Sequence, residues 1–259
     1  MRSIQLYNPV TGKTLTFGAS RPFLLEKIDG VSIDTALTAE APIGRDGQVT
    51  TLSRLPGRSI VAQVAVYLPD RRERKHYFDD VFLPALLPPP AGTYCTLTID
   101  DGLDTYSIDC RPSSVPMPAR QDTPAVYRAE IRLTADTSYF RKNGTITAVF
   151  TPDTTTNHTL WVPTHGPSYP VITLREGYNR EFMLNGKSLW ISQALPEDVT
   201  VNTQTFDIKT ASGSDATEYI DPSRDIDAMF LTYGSNSIHL SGVGTVEIAY
   251  DILSLGVVE

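Results

Sequence analysis

Four histidines are the first residues to ask about, because imidazole binds metals and moves protons near neutral pH. His76, His158, His165 and His239 are scattered along the chain. No two of them form an H-x-H or H-x-x-x-H pair, so no zinc site is expected. The two cysteines, Cys95 and Cys110, flank a turn rich in aspartate. If the loop is Asp101 to Asp104, the thiols face each other across a hairpin and a cross-strand disulfide is conceivable. In a reducing cytoplasm two half-buried thiols are the expected state. Asp100-Asp101-Gly102-Leu103-Asp104 hints at a calcium loop, but it lacks the alternating ligands and the closing glutamate. There is no G-x-S-x-G elbow and no Walker loop. Carboxylates are plentiful, yet nothing marks out two of them as a glycosidase pair. The expectation is a protein with no catalytic residue, no metal and no cofactor.

Two other groups could bind something. Arg71-Arg72-Glu73-Arg74-Lys75-His76 concentrates cations at the start of a helical pattern. Positive charge in a helix's first turns opposes the macrodipole by roughly 0.3–1 kcal/mol per close charge. Arg71, Arg72, Arg74 and Lys75 are therefore expected to meet carboxylates, nearby or across a subunit boundary, with a solvated face as the plain alternative. Trp161, Trp190 and Tyr169 could form a sugar-stacking platform, although tryptophans in β-sandwiches more often belong to the core.

The elements that must hold these groups are mostly strands. Ile4 to Tyr7 and Lys13 to Phe17 read as a hairpin, and Phe23 to Ile28 as a third strand. Arg58 to Val66 alternates, with Ile60, Ala62, Val64 and Val66 on one face. The chain turns helical at Asp70, where Asp70 and Glu73 have capping-box spacing. Tyr77, Phe78, Val81, Phe82 and Ala85 make its apolar stripe, Pro84 kinks or restarts it, and Pro88-Pro89-Pro90 ends it. A hairpin from Thr93 to Cys110 follows, then a Pro-rich loop and a strand from Ala125 to Ala135, expected to close the sheet. Arg141-Lys142-Asn143-Gly144 reads as a turn at a domain boundary. Beyond it lie short strands at roughly ten-residue spacing, the pattern of a sandwich. Asn185-Gly186 is the clearest two-residue hairpin turn. Gly44-Arg45-Asp46-Gly47 marks another; a two-residue turn at Asp46-Gly47 would pair Ile43 with Thr50 and Ala41 with Leu52.

A chain of 259 residues can bury one large core or two ordinary ones. A net charge of −8 argues against sequence-specific nucleic-acid binding, which rests on Lys and Arg against phosphates. Mean hydropathy is −0.15 and no run of about 18–20 apolar residues is present, so no membrane span is expected. The first residues lack the apolar core of a secretory signal, which points to synthesis and assembly in a cytoplasm.

The order of these segments resembles the distal tail protein family of phages with long non-contractile tails. The resemblance rests on Leu25-Glu26-Lys27-Ile28-Asp29-Gly30, the Gly47 turn, Pro56-Gly57-Arg58-Ser59-Ile60, Leu86-Leu87-Pro88, Thr137-Ser138-Tyr139-Phe140, and the closing runs Phe230 to Ile238 and Gly244 to Tyr250. It implies a mainly β protein, with an N-terminal β-sandwich-like domain carrying one α-helix over residues 1–141. A galectin-like C-terminal β-sandwich over residues 142–259 would follow. It further implies a structural virion protein at the tail tip, a homo-oligomer forming a hexameric ring. That ring would join the tail-tube protein to the tail-tip protein and serve as a hub for receptor-binding proteins. The weakly apolar arm from Val31 to Pro56, with Arg45, Asp46 and Gly47 at its tip, would then contact a neighbouring subunit. Relatives with inserted sugar-binding modules are longer, and this chain has no such insertion. The rival readings are a carbohydrate-binding module or lectin, and a glycan-degrading enzyme.

Overall fold

The computed structural model describes residues 3–32, 36–40, 49–116, 119–120, 126–151, 156–221 and 226–257. The chain divides into two compact units, Met1–Phe140 with Leu255–Glu259, and Arg141–Ser254. The first unit is thus completed by a segment that comes after the whole of the second.

In the first unit, β1 (Ser3–Asn8) and β2 (Lys13–Phe17) form the opening hairpin. Then come β3 (Phe23–Asp29), β4 (Ala36–Glu40), β5 (Val49–Arg54) and β6 (Arg58–Tyr67). After the helix follow β7 (Cys95–Asp100), β8 (Thr105–Pro112), β9 (Ala119–Arg120) and β10 (Val126–Ala135). One layer runs β2-β1-β7-β8. The end of β8 pairs with β10 at Pro112 and Leu133, and β10-β6-β3 continues as the second layer. Alternation fills the space between them: Ile4, Leu6, Leu97 and Ile108 meet Ile60, Val64, Ile131 and Leu133, all buried. The strand expected to close the sheet, β10, instead lies inside it, paired along its length with β6.

The helix covers one end of this core. Asp70 caps α1 (Arg71–Tyr77), its carboxylate accepting from the N–H groups of Arg72 and Glu73. Pro84 has no N–H, and the chain widens into a π-turn, Phe78–Phe82, just before it. There the Leu83 N–H reaches back five residues to Phe78 O. A last turn, α2 (Leu83–Ala85), follows. Tyr77 stacks on Phe23 at 4.6 Å, and Phe78 meets Phe82 at 5.3 Å and Tyr127 at 5.7 Å. The buried Asn8 amide donates to Pro84 O, Ala85 O and Leu87 O, so the helix's orphan carbonyls are met from β1.

Arg58 ties the first unit together. Its buried guanidinium donates to Gly30 O, Ser32 O, Ser138 O and Leu255 O at 2.6–2.9 Å, and lies over the Phe140 ring. Desolvation lowers its pKa from the usual guanidinium value. Gly30 is required for this arrangement: its φ is +83°, and a Cβ there would sit 2.0 Å from Ser59 O.

The second unit is a sandwich of two five-stranded sheets. Its strands are β11 (Phe140–Phe150), β12 (Thr156–Val162), β13 (Val171–Leu174), β14 (Asn179–Leu184) and β15 (Lys187–Ile191). They continue with β16 (Val199–Asn202), β17 (Ile208–Thr210), β18 (Ile220–Asp221), β19 (Gly234–Val243) and β20 (Val246–Ser254). One sheet runs β17-β16-β13-β20-β11, the other β12-β19-β14-β15-β18. Ile172, Val201 and Ile248 of the first pack with Phe182, Leu189 and Leu240 of the second.

Two further expectations fail here. Residues 141–144 are not a turn but part of β11, which continues through Gly144 although its φ is +77°. In the arm, Thr50 faces Ala39 and Leu52 faces Thr38, with a register shift between them, so the pairing forecast from a two-residue turn is displaced. That turn, with Arg45, Asp46 and Gly47, lies outside the described residues.

Candidate interaction surfaces

The helix places its cations unequally. Arg74 folds back, donating to Leu68 O at 2.7 Å and lying over the Tyr127 ring at 4.9 Å, so it is partly spent inside its own unit. Lys75 pairs with Asp79 at 3.1 Å, one helical turn on. His76 pairs with Asp80 in the same way. Arg71 and Arg72 are exposed, and among the described residues neither side chain has an ion-pair partner. The four cations therefore do not act together. Arg74 and Lys75 are engaged locally, and Arg71 and Arg72 project outward at the helix's positive end.

The aromatic trio also separates. Trp161 is 59% exposed, Trp190 50% and Tyr169 39%, so the expectation that the tryptophans are core residues is overturned. The cause is parity: β12 turns the part-buried Leu160 and the buried Val162 inward, and β15 buries Leu189 and Ile191, which turns each tryptophan outward. Trp161 meets Tyr233 edge-on at 5.8 Å, and Tyr169 packs on Phe230. Trp190 lies three strands away from Trp161, with β19 and β14 between them.

Between the tryptophans is a cleft that no sequence motif announced. It has a volume of about 490 Å³ and is lined by Asn157, Thr159, Met183, Gly186, Ser237 and His239 among others. His239 Nδ1 is 2.8 Å from Asn157 Oδ1, which can only accept, so in the neutral imidazole the proton sits on Nδ1 and Nε2 is an acceptor. The Asn185-Gly186 turn forms one wall. Asn185 and Gly186 have φ of 51° and 79°, the pattern of a type I′ turn. Asn185 pins it to β19: its amide donates to Asn236 Oδ1 and Phe230 O, and its Oδ1 accepts from Ser237 N. Below, the Tyr178 hydroxyl donates to Glu181 O and Ser241 O, and burial pushes its pKa up to about 12. The alternation Asn157-x-Thr159-x-Trp161 beside Ser235-x-Ser237-x-His239 was the signal available in sequence for this face.

Among the described residues, no group of three or more His, Cys, Asp or Glu is placed to hold a metal ion. No helix among the described residues is long and apolar enough to cross a membrane.

Comparison with solved structures places this architecture. The crystal structure of the SPP1 Dit protein, described as a paradigm of the hub adsorption apparatus in phages infecting Gram-positive bacteria, matches with a TM-score of 0.68. The match has 14% identity and covers 97% of this chain and 99% of that one. The fold is that of a phage Dit protein. A chain of the phage P2 baseplate, in its activated conformation with calcium, shares the Dit fold at a TM-score of 0.58 and 9% identity, over 99% of this chain and all of that one. The strontium form of the p2 baseplate gives 0.53 at 8% identity, again over 99% and 100%. No family model and no curated protein matches the chain.

Proposed function

We propose that this chain is a structural protein of a phage tail, with no enzymatic role. It forms a hexameric ring through its first unit, joins the tail tube to the tail-tip protein, and seats receptor-binding proteins. What carries the reading is that the Dit fold runs end to end, through both units and nearly the whole of both chains. Two features of the first unit support a ring. β3 ends its sheet, and beyond the bridge at Leu24 its outer edge is unpaired among the described strands. Such an edge needs a cover, and a neighbour in a closed head-to-tail ring supplies one. Arg71 and Arg72 are the other: six acidic copies repel, and unspent cations are what their interfaces need.

Six copies of a 28.5 kDa chain make a particle of about 171 kDa, which light scattering reads directly. The expected result is that particle, alone or on mixing with tail-tube and tail-tip proteins. Arg71→Glu with Arg72→Glu should leave the monomer folded and abolish the particle at any salt. A chain that stays monomeric with both partners present sinks the ring. Rings that survive the double reversal remove the arginines from the interface.

A further inference from the structure

We propose that the outward face of the β12-β19-β14-β15-β18 sheet is a binding site for a neutral oligosaccharide, centred on the Asn157–His239 cleft and flanked by Trp161. This inference is independent of the ring reading.

Large exposed indoles are costly to leave in water, and the face carries two of them, 59% and 50% exposed. The rest of it is made of short polar groups. Its middle row is Asn157, His239, Met183 and Ser188, side by side across four strands. The neighbouring rows add Thr159 with Ser237 on one side, and Ser241, Glu181 and Trp190 on the other. Glu181 is the one fixed charge among the described outward-facing side chains of these four strands. That composition decides between classes of occupant. A nucleic acid stacks on tryptophan too, but its phosphates need lysine or arginine, which the described outward-facing side chains of these strands do not offer. A protein partner calls for an apolar centre with few bare hydroxyls. A sugar ring has an apolar C–H face for the indole and hydroxyls that both donate and accept. The Asn157–His239 pair presents both functions side by side. With Asn157 Oδ1 engaged by His239 Nδ1–H, the Asn157 amide hydrogens and the His239 Nε2 lone pair remain for a ligand. Two vicinal hydroxyls match that donor and acceptor.

The site is built rather than incidental. Gly186 forms a wall because Asn185 holds the turn against β19 through two hydrogen bonds and against Phe230 O through a third. Trp161 is steadied by Tyr233, and its ring passes within 3.7 Å of where a side chain on Gly234 would begin. The rows of the two tryptophans are six residues apart along β19 and three strands apart across the sheet, about 20 Å by 14 Å. A face of that size suits an oligosaccharide rather than a single sugar.

The test is an array of neutral and anionic glycans probed with the full chain, followed by tryptophan-fluorescence titration of the best neutral binders. The expected result is saturable binding of a neutral oligosaccharide, weakened about tenfold or more by Trp161→Ala and by His239→Ala. Both variants should keep the parent melting temperature, because both side chains are surface groups. Should Trp161→Ala lose stability, Ser237→Trp fills the cleft without removing a contact and carries the test instead. No binder on the array overturns the proposal. So does binding confined to polyanions, or binding that the cleft variants leave untouched.

Discussion

Cys95 and Cys110 stand in direct register on β7 and β8, both fully buried and both free thiols. Burial pushes Cys110 up to about 12 and raises Cys95 as well. The folded chain therefore holds these protons more tightly than the unfolded chain. Their contribution to stability is complete below an ordinary thiol pKa near 9 and is lost as pH rises towards 12. The native protein at pH 8 should react with a thiol reagent only as fast as it unfolds, while the denatured chain reacts at once. Two rapid equivalents from native protein would contradict the buried pair. The register itself was readable beforehand, because Asp101 to Asp104 fixed the loop length. The outward tryptophans were not. Residue type favours the core, and only the parity of Leu160, Val162, Leu189 and Ile191 around them reverses that preference.

Turns and caps were the legible part of the elements. Asp70 caps its helix and Asn185-Gly186 turns its hairpin, since each depends on a few adjacent residues. The register of β4 on β5 was not legible, because no strongly buried face fixes it. Nor was the π-turn before Pro84, which answers a missing N–H with a geometry no spacing rule describes. The Asn185 turn gives a test at this scale. Asn185→Ala forces an alanine to φ near 51° and removes three hydrogen bonds, for a cost of about 2–3 kcal/mol. Hydrogen exchange should quicken at the β14–β15 amides and at Ser237 N, and leave the first unit's amides unchanged. Uniform acceleration would mean that the turn supports more than its own sheet.

At the scale of the molecule, the least legible feature was the return of the chain's end. Leu255 to Val257 carries no motif, yet Leu255 O accepts from Arg58, Val257 N–H donates to Val31 O, and Val257 joins the first core. Ending the chain at Ser254 should therefore destabilise the first unit and spare the second. Arg58→Met should do the same by about 3–5 kcal/mol, because it strands four buried or part-buried carbonyls. Arg58→Lys should not rescue it, since an ammonium lacks the fork that reaches them. Urea unfolding followed by hydrogen exchange separates the units. Equal loss in both would refute a closure confined to the first.

The same return gives the chain a built-in order of manufacture. A ribosome releases residues 1 to 140 long before residue 257, so the first unit waits, with Arg58 lacking one of its four acceptors, until the second has been synthesised. On the proposed ring, a prematurely terminated chain would offer its neighbours an unfinished surface and should be kept out of the assembly. Chains arrested at residue 254 and mixed with intact ones should be left out of the assembled particle. If they are incorporated in proportion to their abundance, the closing segment does not act as a check on completeness.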